Sequence, residues 1–244
     1  MMTFPTSSIC SRTETDFLSA LKILRKGAAV RPLLFCDMIK NIVFDMGNVL
    51  LCYDANAILG KYLDNQEDID TFRRELMGSF EWFEYDRGTV EKSSFIPVIE
   101  KMPAHLQSLA RKIVLEQCFA EKEMPPFPQT EELVKQLREN GYGIYLLSNA
   151  GQDFYYYSKF KPALQYFDFC FVSSDYKLLK PEPEIYEKFF AVTGLNRNEC
   201  VFIDDVPANV QGSIDAGMDA ICFTPSRQDI SELYTALRER GVKI

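Results

Sequence analysis

Ile42-Val43-Phe44-Asp45-Met46-Gly47-Asn48-Val49-Leu50 is an apolar run broken by a carboxylate and a glycine-containing turn. β-Branched and aromatic residues in an unbroken run bounded by Gly predict a strand buried on both faces. Open α/β sheets bind ligands at the C-terminal ends of such strands, so this strand delivers Asp45 to a site. Taken alone, the same pattern fits a turn former or a helix cap.

Working outward, two further apolar runs end the same way. Tyr145-Leu146-Leu147 ends in Ser148-Asn149, and Cys200-Val201-Phe202-Ile203 ends in Asp204-Asp205. Between them lies Leu178-Leu179-Lys180-Pro181-Glu182-Pro183, in which Lys180 precedes prolines suited to starting a helix. Singly, Ser148-Asn149 reads as a turn, Lys180 as a solvated cation and Asp204-Asp205 as a helix cap. A carboxylate, a hydroxyl, a lysine and a carboxylate pair, all at strand or loop ends and in fixed order, argue for one site.

From Thr130 onward helical and strand patterns alternate: helix 131–140, strand 143–147, helix near 152–158, strand 169–172, helix 184–193, strand 200–203, helix 209–216, strand 219–223 and helix 229–240. That alternation predicts an α/β fold with a doubly wound, Rossmann-like parallel sheet. From about Tyr53 to Pro126 strand signals vanish and helical patterning takes over, in 55–63, 69–77, 93–100 and 106–116. The expected organisation is a core of residues 38–52 and 127–244 with a helical insertion over 53–126. Residues 1–37 carry no chemistry and read as a loosely attached extension or a start assigned too early, ahead of a targeting peptide.

The 244 residues carry a net charge of −8, which disfavours nonspecific attraction to nucleic acid or anionic membranes. No run approaches the roughly 18 apolar residues that a membrane span requires. Seven cysteines without a Cys-x-x-Cys pair suggest a reduced, cytoplasmic setting and a soluble protein. The single histidine, His105, reads as a surface residue and excludes a multi-histidine metal site or a Ser-His triad.

In this order the motifs resemble the haloacid dehalogenase superfamily, specifically its phosphatase-like members with a helical cap after the first strand. Asp45 matches the first motif, Ser148 the second, Lys180 the third and Asp204-Asp205 the fourth, followed by Asn209 and Gly217 in the usual context. The Asp-x-Gly-Asn-Val form of the first motif is similar to that of sugar-phosphate phosphatases, including those acting on glucose 1-phosphate. The resemblance implies that Asp45 is a nucleophile forming an aspartyl phosphate, with Lys180 as its neutralising cation. It also implies that Ser148, Asn149 and Lys180 hold phosphate oxygens. Asp45, Gly47 through its carbonyl, Asp204 and Asp205 would bind a metal. All-oxygen ligands favour Mg²⁺ over zinc.

Two positions depart from the family pattern. Gly47 stands where most of these phosphatases carry a second Asp that protonates the leaving oxygen, help worth about 10²–10⁴-fold. Asp54, near the cap hinge, is a candidate replacement acid, and an anomeric leaving group would need less help. Lys177 stands where many relatives carry Gly, and reads as facing solvent. Tyr53, Phe83, Tyr85 and Arg87 are cap or hinge residues placed to touch substrate or to form cap core.

The expected function is Mg²⁺-dependent hydrolysis of a small phosphorylated metabolite, first a sugar phosphate, by a monomer or weak homodimer. A 2-haloacid dehalogenase, which needs no metal, is the catalytic alternative, and Asp204-Asp205 argues against it. A phosphate-ligand binder or regulatory protein that lost turnover at Gly47 is the other.

Overall fold

The computed structural model describes residues 38–115, 122–223 and 229–244. The expectations for residues 1–37, and the end of the predicted helix at Glu116, lie outside the described residues.

Five parallel strands form one sheet: β1 (Asn41–Phe44), β2 (Gly143–Ser148), β3 (Phe169–Val172), β4 (Cys200–Asp204) and β5 (Asp219–Cys222), in the order β3-β2-β1-β4-β5. The α/β reading holds. Alternate side chains of a strand face opposite sides of the sheet. Ile42 and Phe44 join Ile144, Leu146, Val201 and Ile203 on one face. Val43, Leu147, Phe171 and Phe202 pack on the other with Ile185, Tyr186 and Phe189. Both faces are covered by helices, which is why the strands read as continuous apolar runs.

The chain runs from β1 outward through β2 to β3, then crosses back to start β4 on the other side of β1. Neighbouring strands whose connections leave in opposite directions open a crevice at their C-terminal ends. Asp45 and Asp204 stand at that crevice, and the Asp45 N–H bonds the Ile203 carbonyl at 2.8 Å.

Between β1 and β2 lie the helices α1 (Ala55–Leu59), α2 (Gln66–Phe72), α3 (Phe80–Arg87), α4 (Ile96–Lys101) and α5 (Ala104–Leu115). Apolar side chains of these helices and of the turns between them, among them Leu59, Phe72, Leu76, Phe95, Ile99 and Leu106, form a cluster separate from the sheet's two faces. Fully burying each such side chain contributes about 1.5–3 kcal/mol.

Sequence patterning misses α3 because its apolar residues, Phe80, Trp82, Phe83 and Tyr85, form no narrow stripe, and none of its residues is fully buried. Its ends are clear: the Ser79 side chain caps the Trp82 N–H, and Gly88 closes it at φ 81°. In the core, α6 (Pro128–Glu139) precedes β2 and α7 (Phe154–Tyr157) comes after it. α8 (Ser173–Tyr176) adjoins the end of β3, and α9 (Pro183–Thr193), α10 (Pro207–Asp215) and α11 (Ser231–Glu239) follow in order. Pro183 and Pro207 start their helices where a missing N–H costs nothing.

Candidate active site

Asp45, one residue beyond β1, is 8% exposed, and Lys180 and Asp204 are likewise buried. The Lys180 ammonium donates to Asp45 Oδ1 at 2.6 Å, Asp204 Oδ2 at 2.7 Å and the Leu147 carbonyl at 2.9 Å. Three donors meet three acceptors, so a lysine that would be expensive to bury alone is fully satisfied. The loop carrying it is fixed by Asn149, whose side chain donates to the Lys180 carbonyl at 3.0 Å and accepts the Lys180 N–H at 2.9 Å.

The Asp204 carboxylate is held from several sides. Besides Lys180 it accepts the Val206 N–H at 2.8 Å, and both carboxylate oxygens lie 3.1 Å from Asn209 Nδ2. Asp205 is less enclosed and accepts from Asn48 Nδ2 at 3.0 Å. Asn48 sits in the left-handed region at φ 52°, which Asn tolerates better than most residues. That turn folds the segment after Asp45 back toward Asp205, and the Asn48 Oδ1 also accepts the Tyr53 N–H.

One oxygen from each of Asp45, Asp204 and Asp205 lies within 4.8 Å of the others. Like charges that close repel by about 4 kcal/mol per pair at an effective dielectric of about 20. Burial first, then Asp204, pushes the Asp45 carboxyl up to about 6 against the pull of Lys180. Burial also raises Asp205. Hard oxygen donors with excess negative charge suit a divalent cation, and the residues present fit one.

Above this floor is a cavity of about 1120 Å³. Asp45, Gly47, Ser148, Asn149, Lys180 and Asp205 line it from below, and Tyr53, Asp54, Phe83, Tyr85 and Asp86 line it from the hinge and the helical insertion. Ser148, at the end of β2, is 2% exposed. Asp54 caps α1, its Oδ1 accepting the Ala57 N–H at 3.0 Å. Arg87 does not line the cavity; it clamps Glu182 through two bonds of 2.8 and 2.6 Å. His105 is exposed and pairs with Asp68 at 2.9 Å. Lys177 is exposed and closes α8 at φ 60°, a left-handed position that glycine adopts without strain. Cys52, Cys170, Cys200 and Cys222 are free thiols.

The sequence reading missed the two asparagine side chains as organisers. Asn48 is adjacent to the first motif and Asn149 to the second, so both lay in view; their partners, 157 and 31 residues away, did not.

The profile of the haloacid dehalogenase-like hydrolases matches residues 39–217, and the chain belongs to that family. It is 34% identical over 65 residues to flavin mononucleotide hydrolase 1 of Arabidopsis thaliana, covering 27% of this chain and 25% of that protein. It is 29% identical over 104 residues to (S)-2-haloacid dehalogenase 4A of Burkholderia cepacia, covering 42% and 45%. The chain thus spans less than half the length of these curated relatives. A HAD family enzyme of Bacteroides thetaiotaomicron, solved in complex with magnesium and inorganic phosphate, superposes with a TM-score of 0.56 at 23% identity. The superposition covers 80% of this chain and 99% of that one, a likeness of fold. Among the described residues no helix is long and apolar enough to cross a membrane.

Proposed function

We propose that this hydrolase cleaves a small phosphate monoester, a sugar phosphate in the first instance, through a phosphorylated Asp45. The observation that carries the reading is the acidic trio of Asp45, Asp204 and Asp205 against the buried Lys180. Displacing halide from a haloacid calls for no cation, so a carboxylate pair beside the nucleophile would be a cost without a use. Phosphoryl transfer uses it.

Asp45 attacks phosphorus, the bond to the leaving oxygen breaks, and that oxygen takes a proton. Water then attacks phosphorus, the bond to Asp45 breaks, and the carboxylate and inorganic phosphate are restored. Lys180 holds Asp45 oriented and offsets the charge of carboxylate and phosphate. The Ser148 hydroxyl and the Asn149 backbone N–H hold phosphate oxygens. Asp45, Asp205, the Gly47 carbonyl, and Asp204 directly or through water would hold Mg²⁺, which supplies positive charge against the phosphoryl oxygens when bound. Gly47 has no proton to give; Asp54 is the candidate donor, and an anomeric leaving group lessens the demand. The helical insertion would act as a cap that excludes water. The setting we infer is cytoplasmic, with a monomer or weak homodimer acting on a phosphorylated metabolite and with no nucleic-acid or membrane partner.

Phosphate release from sugar phosphates, flavin mononucleotide and an aryl phosphate, with Mg²⁺ or EDTA, tests the proposal against Asp45→Asn. Mg²⁺-dependent release lost in the variant supports it. Metal-independent halide release from a 2-haloacid would replace it with the dehalogenase reading. Tight binding of Mg²⁺ and phosphate without turnover would replace it with a non-catalytic binder, the reading that Gly47 favours.

A further inference from the structure

Asp86 lies in the last turn of α3 and lines the same cavity as Asp45. A carboxylate there faces the negative end of the helix dipole, an unfavourable place for an acid without a task. Its carboxyl accepts the Gly151 N–H, and among the described residues no cation is paired with it. Burial, with the Asp153 charge adding to it, pushes it up to about 7. The other acids of the cavity wall are engaged: Asp54 caps α1, Asp70 accepts from Gln66 and Asp153 pairs with Lys92 at 2.7 Å.

The backbone around Asp86 is held on the core from three sides. A Cβ on Gly88 would come within 2.2 Å of the Ser174 carbonyl, and one on Gly151 within 2.3 Å of the Tyr85 ring, so each glycine is the socket for its partner. Ser173 Oγ donates to the Asp86 carbonyl at 2.5 Å, and the Arg87–Glu182 clamp comes one residue later. Such fixing sets a side chain in place before ligand arrives. The phenol of Tyr157 is raised chiefly by burial, with Asp86, Asp153 and Asp45 adding to it, and Tyr53 is raised by burial and then Asp86. Tyr53, Tyr85 and Tyr157 line the same cavity as Asp45 and Asp86.

We propose that Asp86 is the specificity-determining residue of the cap, hydrogen-bonding a hydroxyl of the leaving group, so that the substrate is a polyhydroxylated phosphate monoester. A carboxyl among phenols, without a cation, can both accept from and donate to a neutral hydroxyl, and a site built for that bond disfavours a leaving group lacking it. The inference rests on the phosphatase reading.

Its test measures kcat and KM of wild type, Asp86→Asn and Asp86→Ala on hydroxylated sugar phosphates and on phenyl phosphate, which has no hydroxyl. Asp86→Asn keeps an oxygen for the Gly151 N–H, and thermal melting checks that both variants fold. The ratio of kcat/KM for the sugar phosphate over phenyl phosphate should fall about 10–100-fold in Asp86→Ala, chiefly through KM, the size of one hydrogen bond to a charged group, and less in Asp86→Asn, whose amide still accepts and donates. Wild type active on both substrates with a ratio that the variants leave constant overturns this inference alone, as does release from phenyl phosphate only. Wild type that releases phosphate from neither overturns the phosphatase reading and this inference with it.

Discussion

Gly47→Asp would place a carboxyl beside Asp45, the nucleophile of the proposed reaction. Gly47 is not in the left-handed region, and a Cβ there would meet only Tyr53 Cβ at 3.8 Å and Asp45 Oδ2 at 3.9 Å, both ordinary contacts. The position therefore has room for a side chain. A proton donor at the leaving oxygen is worth about 10²–10⁴-fold, or about 3–5 kcal/mol of barrier at 1.36 kcal/mol per tenfold. The gain should appear on alkyl phosphates, whose leaving oxygens need the proton, and should be small on an aryl phosphate. The added charge beside Asp45 would cost up to about 4 kcal/mol at 4 Å and an effective dielectric of about 20 when no cation is bound. Steady-state phosphate release on one alkyl and one aryl substrate, with melting curves in EDTA and in Mg²⁺, measures both effects. A folded, Mg²⁺-binding variant with an unchanged alkyl-to-aryl ratio would refute the reasoning and place the donor elsewhere.

Lys180→Met leaves Asp45, Asp204 and the Leu147 carbonyl without their shared donor, and urea unfolding should show a loss of about 3–5 kcal/mol. Lys177→Gly removes a left-handed backbone penalty at φ 60° and should raise stability by about 0.5–1 kcal/mol, read from the same assay. Phe72→Ala opens a void in the cluster of the helical insertion, and calorimetry should record a loss of about 3–5 kcal/mol. The Asp86 carboxyl lies at about 7 against an ordinary 3.8, so the folded state holds a proton that the unfolded state has released between those values. Stability then falls as pH rises from about 4 to about 7 and levels off above, by at most about 4 kcal/mol. Urea titrations across that range should show a shallower decline in Asp86→Asn than in wild type, and parallel curves would contradict the assignment.

The strands were legible because burial on both faces leaves a local mark, an unbroken apolar run such as Ile42-Val43-Phe44 or Val201-Phe202-Ile203. The longer helices after Thr130 were legible to within a few residues because their apolar positions recur with the helical period. α3 was not, because a helix whose residues are all partly exposed has no narrow apolar stripe to reveal it. α8 was not, because its four residues, Ser173 to Tyr176, are too few to carry a periodic pattern of their own.

Asp45, Ser148, Lys180, Asp204 and Asp205 could be named from the chain because each closes an apolar run or precedes a proline-led helix. The sequence therefore determined which chemical groups reach the C-terminal ends of the strands, since that depends on neighbours within a few residues. Only the tertiary structure decided that Lys180 bridges Asp45 and Asp204, that Asn149 grips the Lys180 peptide, that Asn48 reaches Asp205 and that Asp86 looks into the cavity. Those partners are separated by up to 157 residues, and nothing local selects them. Strand order and register, with β1 between β2 and β4, bring them within hydrogen-bond range, and packing of the helical insertion on the core sets Asp86 above them.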